Sequence, residues 1–227
     1  MNLAKDGIDI GLRTNHIEPM LEFWTNEIGL PYDELLKTGP GARQHRLRLN
    51  GSSILKINHH REPQPDTQPS GYRELFIAQD IQQPVSIQDP DGNPVTLVPH
   101  GWQDIERIGM RMCVRSLAGS ANFFVQGLKA EAISANRFRW ATSVFILDEQ
   151  PDLPLSGGLQ GLGYRYTTVQ VYKTDTEHQG LLKRGATEGL APTTLGTTAR
   201  ISFIRDPDNN WIEISQRASL TGDLEPG

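Results

Sequence analysis

Cysteine is almost absent: Cys113 is the sole one in 227 residues. No internal disulfide can form, and a reducing compartment is the simple reading. Cys113 lies in the alternation Met110-Arg111-Met112-Cys113-Val114, the setting of a buried, inert thiol rather than a nucleophile. Long apolar runs are missing too. None reaches the ~18 residues of a membrane-spanning helix. Met1 to Gly7 holds one lysine and no apolar stretch of the secretory kind. The expected location is the cytoplasm, with no membrane partner. There is no basic excess: 22 Lys and Arg stand against 27 Asp and Glu, a net charge of −5. That balance argues against nucleic-acid binding. A dinucleotide fingerprint is also lacking. Gly157-Gly158-Leu159-Gln160-Gly161-Leu162-Gly163 is glycine-rich, but no strand–turn–helix context or downstream acid accompanies it. No nucleotide cofactor is expected.

What the chain does have is an internal repeat. Asp9-Ile10-Gly11-Leu12-Arg13 leads to Met20-Leu21-Glu22-Phe23-Trp24, and Gly109-Met110-Arg111-Met112-Cys113 leads to Ser120-Ala121-Asn122-Phe123-Phe124. Each reads as a short strand followed by a short amphipathic helix. Arg46-Leu47-Arg48-Leu49 is echoed by Arg137-Phe138-Arg139-Trp140. Apolar strands follow both, and Asn50-Gly51 marks a hairpin in the first copy. Gly71-Tyr72-Arg73 is echoed by Gly163-Tyr164-Arg165. Asp89-Pro90-Asp91-Gly92-Asn93 is echoed by Asp206-Pro207-Asp208-Asn209-Asn210, a tight turn before a last strand in each copy. The second copy adds a helical stretch, Thr176 to Arg184, with Gly185 as its C′ residue. The expected division is a first module over 6–99, a linker over 100–106, a second module over 107–217 and a tail over 218–227.

Phe23-Trp24 followed by Ile28-Gly29-Leu30, with the two Asp-Pro-Asp turns, resembles the vicinal-oxygen-chelate superfamily of glyoxalases, bleomycin-resistance proteins and extradiol dioxygenases. The resemblance runs over residues 6 to 217. It implies an α+β fold of two tandem βαβββ modules, whose curled mixed sheets surround a central cup that binds a small molecule. The stretch from Gly157 to Gly163 then reads as a mobile loop over that cup. The resemblance also implies a divalent metal, held by a His or Gln on the first strand and a Glu on the last; dioxygenase members add a further His. Here the first-strand positions hold Asp9 and Gly109, and the last-strand positions hold Thr96 and Glu213. The further His position holds Tyr166, with Glu74 opposite it in the first module. Glu213 fits as metal ligand or base, and Asp9 is a conceivable second ligand. No histidine falls at an expected site, which disfavours a ring-cleaving iron centre.

Other candidates come from the residues themselves. Arg46, Arg48, Arg137 and Arg139 alternate with apolar residues. They either line the cup and bind an anion or face water as solubilising groups. Trp140 and Tyr166 are candidate ligand contacts or packing residues. His45 precedes the first arginine pair and is a candidate acid or base. His59 and His60 adjoin each other at a strand end and point to opposite faces; His178 is expected on a helix surface. Three functions remain open: a glyoxalase-like lyase or isomerase acting on an oxygen-rich or enolisable substrate with a divalent metal ion, a metal-free small-molecule binder of the drug-sequestering or sensing kind, and, third, an extradiol-type dioxygenase. Each acts as a monomer or a homodimer.

Overall fold

The computed structural model describes residues 1–222 and 224. The first quarter runs β1 (Asp9–Thr14), α1 (Ile17–Glu22), β2 (Tyr32–Gly39), β3 (Ala42–Arg48) and β4 (Ile54–His60). The second holds only strands: β5 (Tyr72–Gln79), β6 (Val85–Gln88) and β7 (Pro94–Pro99). The third repeats the first: β8 (Ile108–Val114), α2 (Leu117–Asn122), β9 (Glu131–Ala132), β10 (Arg137–Trp140) and β11 (Ser143–Glu149). The last runs β12 (Gly163–Gln170), α3 (Thr174–Lys183), β13 (Thr187–Leu195), β14 (Ala199–Arg205) and β15 (Trp211–Arg217), then α4 (Ala218–Thr221). Residues 223 and 225–227 of the expected tail lie outside the described residues.

The duplication is visible in hydrogen bonds. α1 and α2 each open into a wide turn, Phe23–Glu27 and Phe123–Gly127. Ile28 N reaches Phe23 O and Leu128 N reaches Phe123 O; Leu30 N reaches Trp24 O and Ala130 N reaches Phe124 O. Asp89 accepts from the backbone of Asp91 and Asn93, and Asp206 does the same from Asp208 and Asn210. Both carboxylates serve as turn acceptors, as the Asp-Pro-Asp pattern requires. Burial raises both pKa values, to about 6 at Asp89 and about 7 at Asp206.

The copies exchange strands. One sheet has eight strands in the order β13-β14-β15-β12-β1-β4-β3-β2; the other has seven, β6-β7-β5-β8-β11-β10-β9. The first and last quarters therefore share one sheet, joined where β1 runs antiparallel to β12 with Asp9 opposite Thr168. The middle quarters share the other, joined at β5 and β8 with Phe76 opposite Gly109. Between the sheets lies the main core, where Ile8, Ile10 and Leu12 meet Met20, Phe23 and Trp24. Strand alternation turns Asp9 and Arg13 to the opposite face. α3 spans Thr174–Lys183 and stops before Gly185, whose φ of +97° suits glycine. His178 corrects the surface expectation: it is fully buried, with Nε2 3.0 Å from Glu188 Oε2. It lies on the face of α3 turned to the sheet, as buried Thr174 and Leu181 do.

The outer faces of the two sheets differ. On the seven-stranded sheet, Phe76, Val98, Val144 and Ile146 form a second apolar cluster with Ile105. Ile105 and Trp102 come from the segment between the copies, which turns back through Gln103 and Asp104, both at positive φ. The rings of Trp102 and Phe76 lie 5.3 Å apart. Gly109 occupies on β8 the place that Asp9 has on β1. A Cβ there would stand 2.5 Å from Ile105 Cδ1, so glycine leaves room for the plug. The expected linker thus fills the hollow that remains open in the other sheet. Truncating Ile105 to alanine should cost about 3 kcal/mol, through lost burial and the cavity left behind. Urea unfolding of Ile105→Ala measures this; a change within error would mean that the segment merely lies on the surface.

Candidate functional site

The eight-stranded sheet curls around a cavity of about 630 Å³, within the ~300–1,000 Å³ typical of small-molecule sites. Its wall is built by alternation. β1 contributes Arg13, β3 contributes Gln44 and Arg46, and β4 contributes Lys56 and Asn58. Tyr166 and Gln170 come from β12; Glu213, Ser215 and Arg217 come from β15. Gly11 lies between Asp9 and Arg13 because the Tyr166 ring covers it; a Cβ would sit 2.2 Å from that ring. Leu159 and Gln160 bring the glycine-rich stretch to the rim, as expected. Arg165 holds that stretch by donating to the carbonyls of Gly158 and Gln160.

At the floor, four central strands meet in one polar cluster. Lys56 Nζ donates to Glu213 Oε2 and to Thr168 Oγ1, both at 2.8 Å. Thr168 Oγ1 donates to the same Glu213 oxygen at 2.7 Å. Asp9 Oδ2 lies 3.7 Å from the ammonium and accepts from Gln170 Nε2 at 3.2 Å. Its other oxygen accepts from Lys5 Nζ and from the Ile54 amide. Lys56 is 2% exposed and Asp9 0%, so these charges are tolerated only because they are paired. Burial pushes the Asp9 carboxyl upward, but Lys56, Lys5 and Arg46 together outweigh it and hold the pKa below its ordinary value. Burial draws Lys56 below its ordinary value, and Glu213 and Asp9 restore only part of the difference.

Asp9 and Glu213 are therefore brought together. The Lys56 ammonium occupies the space between them. Thr168 supplies a neutral hydroxyl as the nearest further donor. Among the described residues, no group of three or more His, Cys, Asp or Glu side chains gathers in a way that could hold a metal ion. The donor set does not fit the divalent ion that the resemblance implied.

The other expected residues divide by strand parity. Tyr166 lines the cup, and its hydroxyl receives hydrogen bonds from Asn58 Nδ2 at 3.1 Å and Gln44 Nε2 at 3.3 Å. Burial pushes its pKa upward, so it stays a neutral phenol. Arg46 also faces in, 3.1 Å from Glu34. Glu34 reaches Arg217 at 2.9 Å and so ties β2 to β15 at the mouth. Arg48 does not follow Arg46 inward; it is exposed and paired with Asp33 at 2.6 Å. Arg137 and Arg139 lie in the other sheet, paired with Asp104 and Glu131. Trp140 packs in the core beside Phe145. His45 is corrected as well. It has the opposite parity to Gln44 and Arg46, and its Nδ1 lies 3.0 Å from the Tyr32 hydroxyl. His59 and His60 both border the mouth at the end of β4. The sequence reading missed Lys56, Thr168, Gln170 and Arg13. Lys56 had a signal: it sits between Leu55 and Ile57 as Glu213 sits between Ile212 and Ile214.

The eight-stranded sheet is thus shared by the first and last quarters of the chain, with the cup at their junction. No family model matches the sequence, and no curated protein does. Solved structures match by fold. Glyoxalase I from Zea mays has a TM-score of 0.75 at 12% identity, over 95% of this chain and 92% of that one. The cppA protein from Streptococcus pneumoniae has a TM-score of 0.54 at 12% identity, over 95% of this chain and 100% of that one. At such identity the likeness concerns architecture.

Two outcomes follow from the floor cluster. Lys56→Met takes the paired cation from buried Glu213 and one of the cations beside buried Asp9, and should cost about 3–5 kcal/mol in urea unfolding. A second change, Glu213→Gln, should recover part of that loss. Asp9 is held below its ordinary value, so its ionisation stabilises the fold above the unfolded carboxyl pKa of about 3.9. That contribution is lost as pH falls through the lower, folded value. Asp9→Asn should therefore flatten the acid limb of the stability profile; an unchanged limb would contradict the assignment.

Proposed function

We propose that this chain binds a small organic anion in the cup, using side chains and no metal. The observation that carries the reading is the Lys56 ammonium between Asp9 and Glu213, where a divalent ion would stand. The wall agrees in sign. Arg13, Lys37, Arg43, Arg46, Lys56 and Arg217 border the cavity, against one carboxylate, Glu213. Field lines of one sign in a concave, low-dielectric site concentrate an oppositely charged ligand. Leu36, Leu195, Ile201 and Phe203 add an apolar wall for the ligand body. The cup needs only one chain, so binding does not depend on a partner subunit.

A glyoxalase-like lyase or isomerase is the second reading. It is favoured by Glu213, a carboxylate on the cup wall beside a lysine, in position to move a proton on an enolisable ligand. Only turnover separates the two.

The test is a thermal-shift titration with a panel of small carboxylates, paired with metal analysis of protein equilibrated with zinc, manganese and nickel. The expected result is a saturable rise in Tm that weakens with salt and with Arg46→Met, and no stoichiometric metal. A stoichiometric divalent ion that is lost in Glu213→Gln would sink the metal-free reading.

A further inference from the structure

The second quarter lacks two elements that the fourth has. Between β12 and β14 the chain forms α3 and β13, whereas residues 80–84, between β5 and β6, form neither helix nor strand. β6 and β7 otherwise match β14 and β15 position by position. Thr96 corresponds to Glu213, and their cross-strand partners, Ser86 and Phe203, correspond in turn. Val85, Ile87 and Leu97 therefore correspond to Ser202, Ile204 and Ile214. α3 lies against β14 and β15, and in that half Ser202, Ile204 and Ile214 are fully buried. On the same face of the second quarter, Ile87 and Leu97 are only half-buried and Val85 is 49% exposed. Three apolar side chains reach water where their counterparts do not, a cost that burial would recover.

The edge beside that face is bare as well. β13 pairs antiparallel with the outer side of β14, whereas β6 ends its sheet. Free N–H and C=O groups on an edge invite pairing with another chain; charge, proline, bulges or brevity normally prevent it. The other three edges are guarded in this way. β2 carries Asp33, Glu34 and Lys37. β13 carries Glu188, Pro192 and two register shifts. β9 has two residues, one of them Glu131. β6 reads Val85-Ser86-Ile87-Gln88, and neither it nor the preceding Ile81-Gln82-Gln83-Pro84 holds a charge.

We propose that β6 and the apolar face beside it form a self-association surface, on which two copies of this chain pair β6 with β6 about a twofold axis. A twofold makes the two strands antiparallel, the sense in which β13 pairs with β14. Each copy supplies the other's missing outer strand, and the two seven-stranded sheets become one. Centring the axis on Ser86 sets Val85 opposite the partner's Ile87, with both apolar pairs on the uncovered face. Four residues a side make a small contact, so the dimer dissociates on dilution. The cup lies in the other sheet and is not part of this surface.

Sedimentation velocity on the full chain from low to high micromolar concentration, with hydrogen exchange on the same samples, tests this. The expected result is a monomer–dimer equilibrium in which amide protection grows with concentration over residues 84–88 and not over β2 or β13. Val85→Lys buries an ammonium against the partner's Ile87 and is expected to raise the dissociation constant at least about tenfold. Because Val85 is exposed in the single chain, that variant should keep the melting temperature of the unaltered protein. Leu190→Lys on β13 should leave the equilibrium unchanged. A chain that stays monomeric throughout the range overturns the proposal and leaves the face to another occupant, such as an amphipathic helix of a different protein. A dimer that survives Val85→Lys, or that gains protection at β2 or β13 instead, overturns it too.

Discussion

One ion pair, buried where four strands converge, governs the open half of this molecule. Lys56 on β4 meets Glu213 on β15, Thr168 on β12 and Asp9 on β1. These are the central strands of the eight-stranded sheet, and they come from opposite ends of the chain. The cluster joins the first quarter of the sequence to the last through charge as well as through backbone pairing. Each charged member, taken alone, would carry a desolvation penalty of several kcal/mol. Together they are mutually satisfied. The arrangement also sets the charge of the floor: a cation already stands between the two carboxylates.

Duplication supplied two hollows, and the chain treats them differently. Gly11 beside Lys56 on β1 and β4 corresponds to Arg111 beside Ile146 on β8 and β11. Where one sheet carries lysine, threonine and glutamate, the other carries Ile146, Phe76 and Thr96 at the matching places. An apolar hollow open to water would be costly, and the segment between the copies closes it with Trp102 and Ile105. Among the described residues, the polar hollow has no such cover. Its ion pairs hold the wall in place, and Arg13 Nε has no partner there among the described residues. Packing was selected in one hollow and hydrogen bonding in the other, on the same backbone.

Strand positions, the turns and the two-copy order were legible in the sequence because they rest on local rules. The alternation of Ile8, Ile10 and Leu12 with Asp9 is a property of β1 alone, and the Asp-Pro-Asp turns close on their own backbone. Glu213 and Tyr166 were found through the family resemblance, at positions where it implies ligands. Arg46 and Arg48 looked equivalent because they share parity. β3 stays paired with β4 through Arg48, but Asp33 holds the Arg48 guanidinium in water there. His45 had the wrong parity for the cup, but judging this required knowing which face of β3 was concave.

What the sequence alone determined was the duplicated strand–helix–strand pattern and the sign of each residue's environment along its own strand. These follow from the two-residue period of a strand and the chemistry of turns. Only the tertiary structure decided which strands became neighbours. That put Arg137 and Arg139 in the sheet without the cup. It also put Lys56 between two carboxylates that lie 47 and 157 positions away in sequence. Long-range register depends on the packing of whole sheets, so the residues beside Lys56 marked a polar group in an apolar strand but not the carboxylates it would meet.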